Sequence, residues 1–481
     1  MKCVVIGAGN AGRPVARLLN YMGWDVTITD PKPREKFVEE NKVCFKLLEN
    51  EGIKCELGID APDLTKFEHA YISPVIPQNA PIRKQIKEQG LEIITQEYIG
   101  TSINNIIKPD IIAVTGSVGK TSTTHIIKTI LETAGYNIWI CSSVTQNLVS
   151  EVIIDGIVKG RHENIDLALL EIPHGTAGII ASHLEIKLGL LVSIYEEHLS
   201  EFGGSMEKYI ERKSFIMNQS EKYITNIQTA EYLSNKRDDT VYYCLDTQEN
   251  TLDIDSNKPY GPKYIGHISP QHISINYHDD NKRETLESDF HMRSYYYQNA
   301  VAAAAVCLEF GISKENVQKG LEKFKGIQGH LESLGDYNGR HAYIDSAYLE
   351  EGIEQTLQYF KEDLDGKLVV VLDNLDTSTS RDKPGVGKLV GKYADIMVAT
   401  GLIEVTQILN MDSSIQLLYG AKESKALKLA VCDLKEACYL AIKYSKPGDV
   451  IVHIGAAAIT SYRDVKGKMI NGLEEGCKNY E

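Results

Sequence analysis

Short runs of β-branched and aliphatic residues recur along the chain, and after each one apolar positions return every three or four residues. The short continuous runs predict strands buried on both faces, and the 3.6-residue period predicts amphipathic helices. Val4–Ile6, Asp25–Thr29 and Ala70–Ile72 are the first strands, with Pro74, Pro77 and Pro81 punctuating the loop after the third. A second series starts at Ile111 and continues through Asp166–Glu171 and Leu190–Ile194. A third comprises Ala342–Ile344, Leu368–Leu372, Ile396–Thr400, Leu429–Val431 and Val450–Ile454. Between the second and third series, the polar stretch Asp246–Asn281 reads as loops or an antiparallel excursion, and Asn299–Val306 reads as a helix of small residues. Strands that alternate with helices make βαβ units and hence parallel sheets. The pattern predicts an α/β protein of three domains, over residues 1–105, 106–332 and 333–481. A prior of roughly 100–200 residues per domain gives the same count.

Composition narrows the class. With 43% hydrophobic and 24% charged residues the chain is an ordinary globular one, and its formal charge of −15 argues against nucleic acid or an anionic membrane as partner. Its nine cysteines have no metal-ligand spacing and are expected to be reduced thiols, as in the cytoplasm. No apolar stretch reaches the length of roughly 18 residues that a membrane span needs, and the first residues run into a strand and glycines rather than a signal peptide. A cytoplasmic location is expected.

The candidate chemistry centres on Ile111-Ile112-Ala113-Val114-Thr115, a strand that opens into Gly116-Ser117-Val118-Gly119-Lys120-Thr121-Ser122 and then a helix bearing Ile126, Ile127, Ile130 and Leu131. Unpaired N–H groups at a helix N-terminus, with the helix dipole behind them, form an anion site. Lys120 would reach the β/γ-phosphates of a nucleoside triphosphate, and the Thr121 hydroxyl would sit on Mg²⁺. Val114 stands where the general phosphate loop has a glycine. A second glycine turn, Gly7-Ala8-Gly9-Asn10-Ala11-Gly12, follows the first strand, and Asp30 ends the next. That is the dinucleotide fingerprint, so an NAD-dependent oxidoreductase is a rival reading. It leaves Lys120 and Thr121 unexplained. The buried run Leu167–Glu171 ends in a carboxylate where an open α/β sheet presents its ligands, which suits Mg²⁺. Taken alone, His198 reads as a surface or packing histidine and Lys213 as a solvated helix charge.

Thr115-Gly116-Ser117-Val118-Gly119-Lys120-Thr121 resembles the phosphate loop of the Mur ligases, ATP-dependent enzymes that add amino acids to UDP-linked cell-wall precursors. Ile72-Ser73-Pro74-Val75-Ile76-Pro77 is similar to their Ser-Pro-Gly-Ile-Pro element, with Val75 replacing the glycine. The resemblance follows the domain order. It implies a Rossmann-like N-terminal domain for the UDP-linked precursor, a central ATPase domain, and a Rossmann-like C-terminal domain for the amino acid. It further implies that Asn10, Ala11, Asp30, Ser73 and Asn147 hold the precursor, with Lys32 in place of an arginine. Tyr195-Glu196-Glu197-His198, with Lys213 fifteen residues beyond His198, resembles the family's Asn-x-x-x-Asp-His segment and its carbamylated lysine; Ser193 and Glu197 replace the Asn and Asp. Two Mg²⁺ ions are thereby implied, held by Thr121, Glu171, His198 and Lys213, the last as a carbamate formed from CO₂.

By the same resemblance Asn299 lies near the adenine, although a helix cap is the simpler role for it. His330, within Gly326–Glu332, stands for an arginine on the phosphates, and Asp345 belongs to the hinge segment that meets ATP. Ser380-Arg381-Asp382-Lys383-Pro384 is similar to the family's Arg-Asp-Lys segment. The diamino-acid signature is missing at residues 400–405, and Gly455-Ala456-Ala457 lacks the usual Gly-Lys-Gly, so the incoming amino acid is not assigned. These departures, with Glu171-Ile172-Pro173-His174-Gly175-Thr176, bring the chain nearer to archaeal pseudomurein peptide ligases. The implied activity joins a free amino acid to a carboxylate of a UDP-linked peptide precursor, murein or pseudomurein, through an acyl phosphate. A monomer is expected. Two alternatives remain: a folate polyglutamate ligase, which would lack the N-terminal glycine-rich domain, and a nucleotide-binding protein that has lost its chemistry, suggested by His330, Ala347 and Ala456.

Overall fold

Among the described residues three large β-sheets organise the chain, beside the two-stranded pair Leu402–Ile403 and Ile408–Leu409, and each large sheet carries its loops of interest at the carboxyl ends of its parallel strands. The computed structural model describes the chain apart from residues 38, 143, 145–150, 174–182, 198, 235, 247–260, 270, 280–281, 293–294, 363, 373–381, 401, 404–407, 410, 456–457, 459–460 and 481.

The first sheet is parallel, in the order Lys54–Leu57, Asp25–Asp30, Lys2–Ile6, His69–Ile72, Glu92–Ile93. Strand order reverses on either side of Lys2–Ile6, which opens a crevice beyond that strand's carboxyl end. The helix Gly12–Tyr21 starts there, and Gly12 is required: a Cβ on it would lie 1.8 Å from the Gly7 carbonyl oxygen.

The second sheet has nine strands, in the order Lys282–Ser288, His272–Asp279, Tyr264–Ser269, Val241–Asp246, Ser220–Asn226, Ile186–Leu191, Asp110–Thr115, Leu167–Glu171, Ile138–Cys141. Its last two strands in the chain are antiparallel hairpin partners, so the polar stretch before residue 281 contains an antiparallel excursion among its described residues. Helices Lys120–Thr133 and Tyr296–Glu309 share one buried core, to which the first brings Ile126, Ile127 and Ile130 and the second the alanines at 300 and 302–305. Small side chains let these helices come close while the branched residues fill the gap.

The third sheet runs Glu332–Tyr337, Arg340–Asp345, Val450–Ile454, Leu368–Leu372, Ile396–Thr400, Leu427–Val431, with only the first pair antiparallel. The first two sheets are tied together directly. Asn104, on the helix Gln96–Ile106, donates to the His183 carbonyl and accepts from the Glu185 N–H, and Arg17 of the first unit pairs with Glu51 at 2.6 Å and Asp155 of the second at 3.2 Å.

Two sequence expectations are corrected. The strand expected at Leu190–Ile194 is Ile186–Leu191. Beyond it the backbone turns to the phosphate loop: Val192 N–H donates to Thr115 and Ser117 N–H donates to the Ser193 carbonyl, both at 2.9 Å. Asn299 does not cap its helix; it lies inside Tyr296–Glu309, whose capping position is Tyr295. Among the described residues no helix is long and apolar enough to cross a membrane.

Candidate active site

The phosphate loop lies between the strand Asp110–Thr115 and the helix Lys120–Thr133. Gly116 (φ 149°) and Gly119 (φ 84°) adopt backbone conformations that L side chains rarely take. Both also lack room. A Cβ on Gly116 would lie 3.0 Å from the Ser193 nitrogen, and one on Gly119 would lie 2.7 Å from Asn299 Oδ1. The Lys120 ammonium donates to the Gly116 and Ser117 carbonyls, each at 2.8 Å. Thr121 Oγ1 donates to Glu171 Oε1 at 2.9 Å, so these two expected metal ligands meet at the loop. Ser122 is buried in the first turn of the helix.

Lys213 is no solvated charge. It sits on the helix Met206–Gln219 with only 1% of its side chain exposed, donates to the Gly116 carbonyl at 2.8 Å, and lies 3.7 Å from Glu197 Oε1. Burial, reinforced by the Lys120 charge, pushes its amine down to about 7. One turn earlier on the same helix, Tyr209 donates to Glu197 Oε1 at 2.7 Å and meets the Ser117 hydroxyl at 2.8 Å. Sequence reasoning missed Tyr209. Its four-residue spacing from Lys213 was the available signal, since residues so spaced share a helix face.

Asn299 is 3% exposed, and its Nδ2 has no hydrogen-bond partner among the described residues, so a donor is left for a ligand beside the loop. His330 is half-buried, its Nδ1 within 3.0 Å of the Gln328 carbonyl and its own carbonyl accepting from Tyr296. Asp345 is fully enclosed. Tyr295 of the central unit and the Leu331 N–H bond its Oδ1, Thr356 of the third unit bonds its Oδ2, and burial raises its carboxyl above the usual range. In this arrangement Asp345 fastens the second and third units together. A cavity of about 340 Å³ separates Glu196 from Tyr348, Glu350, Glu351 and Asp382 across the same junction.

The N-terminal crevice holds a second, larger cavity, of about 770 Å³, into which Asn10, Ala11, Asp30, Lys32 and Ser73 all project with Phe37. Asp30 is committed to the turn: its Oδ2 accepts from Ala8 N–H at 2.8 Å and its Oδ1 from Lys32 N–H at 2.9 Å. Asn147, His198 and Arg381 lie outside the described residues. Among the described residues no three His, Cys, Asp or Glu side chains converge as a metal site.

A phosphate loop in the middle of three α/β units, with a separate cavity at the first, defines the class of protein. Residues 114–307 match the Mur ligase middle domain model, and relatives over most of the chain are Mur ligases. It is 37% identical over 214 residues to an uncharacterized protein of Methanothermobacter thermautotrophicus, covering 44% of this chain and 68% of that one. It is 27% identical over 351 residues to the UDP-N-acetylmuramoylalanine–D-glutamate ligase of Natranaerobius thermophilus, 70% of each chain. Among solved structures, a pseudomurein peptide ligase type C from Methanothermus fervidus shares the fold over 97% of this chain and 99% of its own, with TM-score 0.57 and 20% identity. A Mycobacterium tuberculosis folylpolyglutamate synthase shares it over 77% of this chain and 95% of its own, with TM-score 0.58 and 14% identity.

Proposed function

We propose that this chain is an ATP-dependent ligase that joins an amino acid to a carboxylate of a UDP-linked cell-wall peptide precursor. The observation that carries the reading is the pairing of a phosphate loop with a second nucleotide-sized cavity at the first sheet's switch point. A single-cofactor oxidoreductase needs no Lys120 or Thr121, and a folate ligase needs no Gly7–Gly12 turn.

Lys120 and the loop N–H groups bind the β/γ-phosphates of ATP, with Asn299 beside them for the base. Thr121 and Glu171 offer hard oxygens that fit Mg²⁺, which would neutralise charge on the transferring phosphoryl group. Lys213 suits carbamylation because burial favours its neutral amine. The nitrogen adds to the carbon of CO₂ and releases one proton, and the anionic oxygens so formed would serve a second Mg²⁺ together with His198. The substrate carboxylate attacks the γ-phosphorus as the bond to ADP breaks. The incoming amine then attacks the acyl carbon, and phosphate leaves. Closing the third unit on the central one keeps water from the acyl phosphate. The missing diamino-acid signature at residues 400–405, Gly455-Ala456-Ala457 in place of Gly-Lys-Gly, and Glu171-Ile172-Pro173-His174-Gly175-Thr176 favour the pseudomurein branch over the murein one.

Phosphate release, measured with UDP-linked peptides and single amino acids, tests the reading. Release is expected only when ATP, Mg²⁺, a UDP-linked acceptor and one amino acid are all present. Release driven by a folate and glutamate would replace this reading with the folate alternative.

A further inference from the structure

The face of the helix Met206–Gln219 that carries Lys213 touches the phosphate loop at two points, one turn apart. Lys213 reaches the Gly116 carbonyl, and Tyr209 reaches the Ser117 hydroxyl. The direction of the second contact follows from proton counting. Tyr209 has one hydroxyl proton, and it goes to the Glu197 carboxylate, which can only accept. At 2.8 Å Tyr209 then accepts from Ser117, whose one proton has the Tyr195 carbonyl as a longer alternative at 3.2 Å and whose oxygen accepts from the Tyr195 N–H at 2.9 Å. The result is a buried one-way chain from Tyr195 N–H through Ser117 and Tyr209 to Glu197. All four residues lie in the loop, the segment after the strand Ile186–Leu191, or the helix that carries Lys213, so the chain crosses the three pieces of backbone that shape the site.

We propose that Tyr209 is a positioning residue for the phosphate loop: its hydroxyl, accepting from Ser117 and donating to Glu197, fixes the loop and the carboxylate beside Lys213 in one arrangement. Glu197 is 5% exposed, so it depends on internal donors. A lysine that becomes a carbamate carries a negative charge and can no longer compensate Glu197 as an ion-pair partner. The Tyr209 hydroxyl is a neutral donor and serves Glu197 in either state of Lys213. That second consequence rests on the carbamate in the proposed function; the positioning of the loop does not.

The test uses the full chain and two probes, MgATP and isotope-labelled bicarbonate. Tyr209→Phe deletes the hydroxyl and keeps the ring; Ser117→Ala cuts the chain at its other end. Each is expected to weaken MgATP about five-fold in titration calorimetry, the scale of one lost buried hydrogen bond. The double variant is expected to be no weaker than the weaker single, because both break one chain. Carbon NMR of the labelled carbamate, identified by its loss in Lys213→Ala, is expected to require about ten-fold more bicarbonate in Tyr209→Phe. Thermal melts establish that the variants fold. Wild-type MgATP affinity in folded Tyr209→Phe, or multiplicative losses in the double variant, overturn the proposal. If the unsubstituted protein gives no carbamate signal, the assignment of Lys213 fails by itself, and the MgATP cycle alone decides the role of Tyr209.

Discussion

The two candidate sites of this protein are built on opposite plans. At the N-terminal crevice a glycine turn and apolar walls, among them Ile6, Phe37, Ile59 and Val75, leave a roomy space edged by Lys32. Its acid, Asp30, is spent on holding backbone N–H groups. At the phosphate loop Lys213, Glu197, Tyr209, Ser117 and Glu171 are buried and bonded to one another or to the loop. A site that only has to hold a nucleotide can rely on shape. A site that must stabilise moving charge needs its dipoles fixed beforehand, because reorganising them during the reaction would cost the energy they supply.

Substitutions can break that contrast, and the largest effect is expected at Lys120. Lys120→Ala should lower ADP formation by about three orders of magnitude while leaving the affinity for UDP-linked ligand unchanged, because its ammonium serves phosphates in the central unit only. Wild-type turnover in this variant would remove the phosphate-loop assignment. Next, Lys213→Ala should lose about 100-fold in activity and recover part of it with a short-chain carboxylic acid, which imitates the missing anionic oxygens. Lys213→Arg should not recover, and a fully active Arg variant would end the metal role of Lys213.

A smaller effect is expected from His125, next to the loop. Burial, with Lys128 and His330 near, pushes its imidazole down from 6.5 to about 4, and its Nε2 lies 2.9 Å from Ser142 Oγ. The unfolded chain takes up this proton first as pH falls. Stability is therefore full above pH 6.5 and declines toward pH 4, by about 3 kcal/mol from this one group. Denaturant melts across that window should show the decline, and His125→Gln should flatten it. Gly119→Ala should cost about 2 kcal/mol, since it combines a φ of 84° with a contact 2.7 Å from Asn299 Oδ1. Calorimetric melting checks that value. Asp30→Ala sharpens the contrast from the other side, with about a ten-fold loss of UDP-linked ligand and no change in MgATP affinity.

The elements of both sites were legible in the sequence because strand, glycine turn and helix follow one another without interruption. The residues between elements were not. Val192 and Ser193 are as apolar or small as strand residues, yet they leave the sheet to bond the loop backbone, so the expected strand was placed too late. Lys213 sits in Met-Glu-Lys-Tyr-Ile-Glu-Arg-Lys, a run whose charges suggest a solvated helix, and only the tertiary contact to Gly116 reveals that one lysine is interior. Asp345 was legible by resemblance as a hinge acid, but its junction role depends on Tyr295 and Thr356, which are distant from each other in sequence.

A crystal structure with a non-hydrolysable ATP analogue, Mg²⁺ and a UDP-linked peptide tests the central claim most directly, since it views both sites at once. The account predicts the triphosphate on Gly116–Thr121, the uridine diphosphate in the separate N-terminal cavity, and carbamate density on Lys213. A dinucleotide on the Gly7–Gly12 turn, with the phosphate loop empty and Lys213 a plain amine against Gly116, would contradict it.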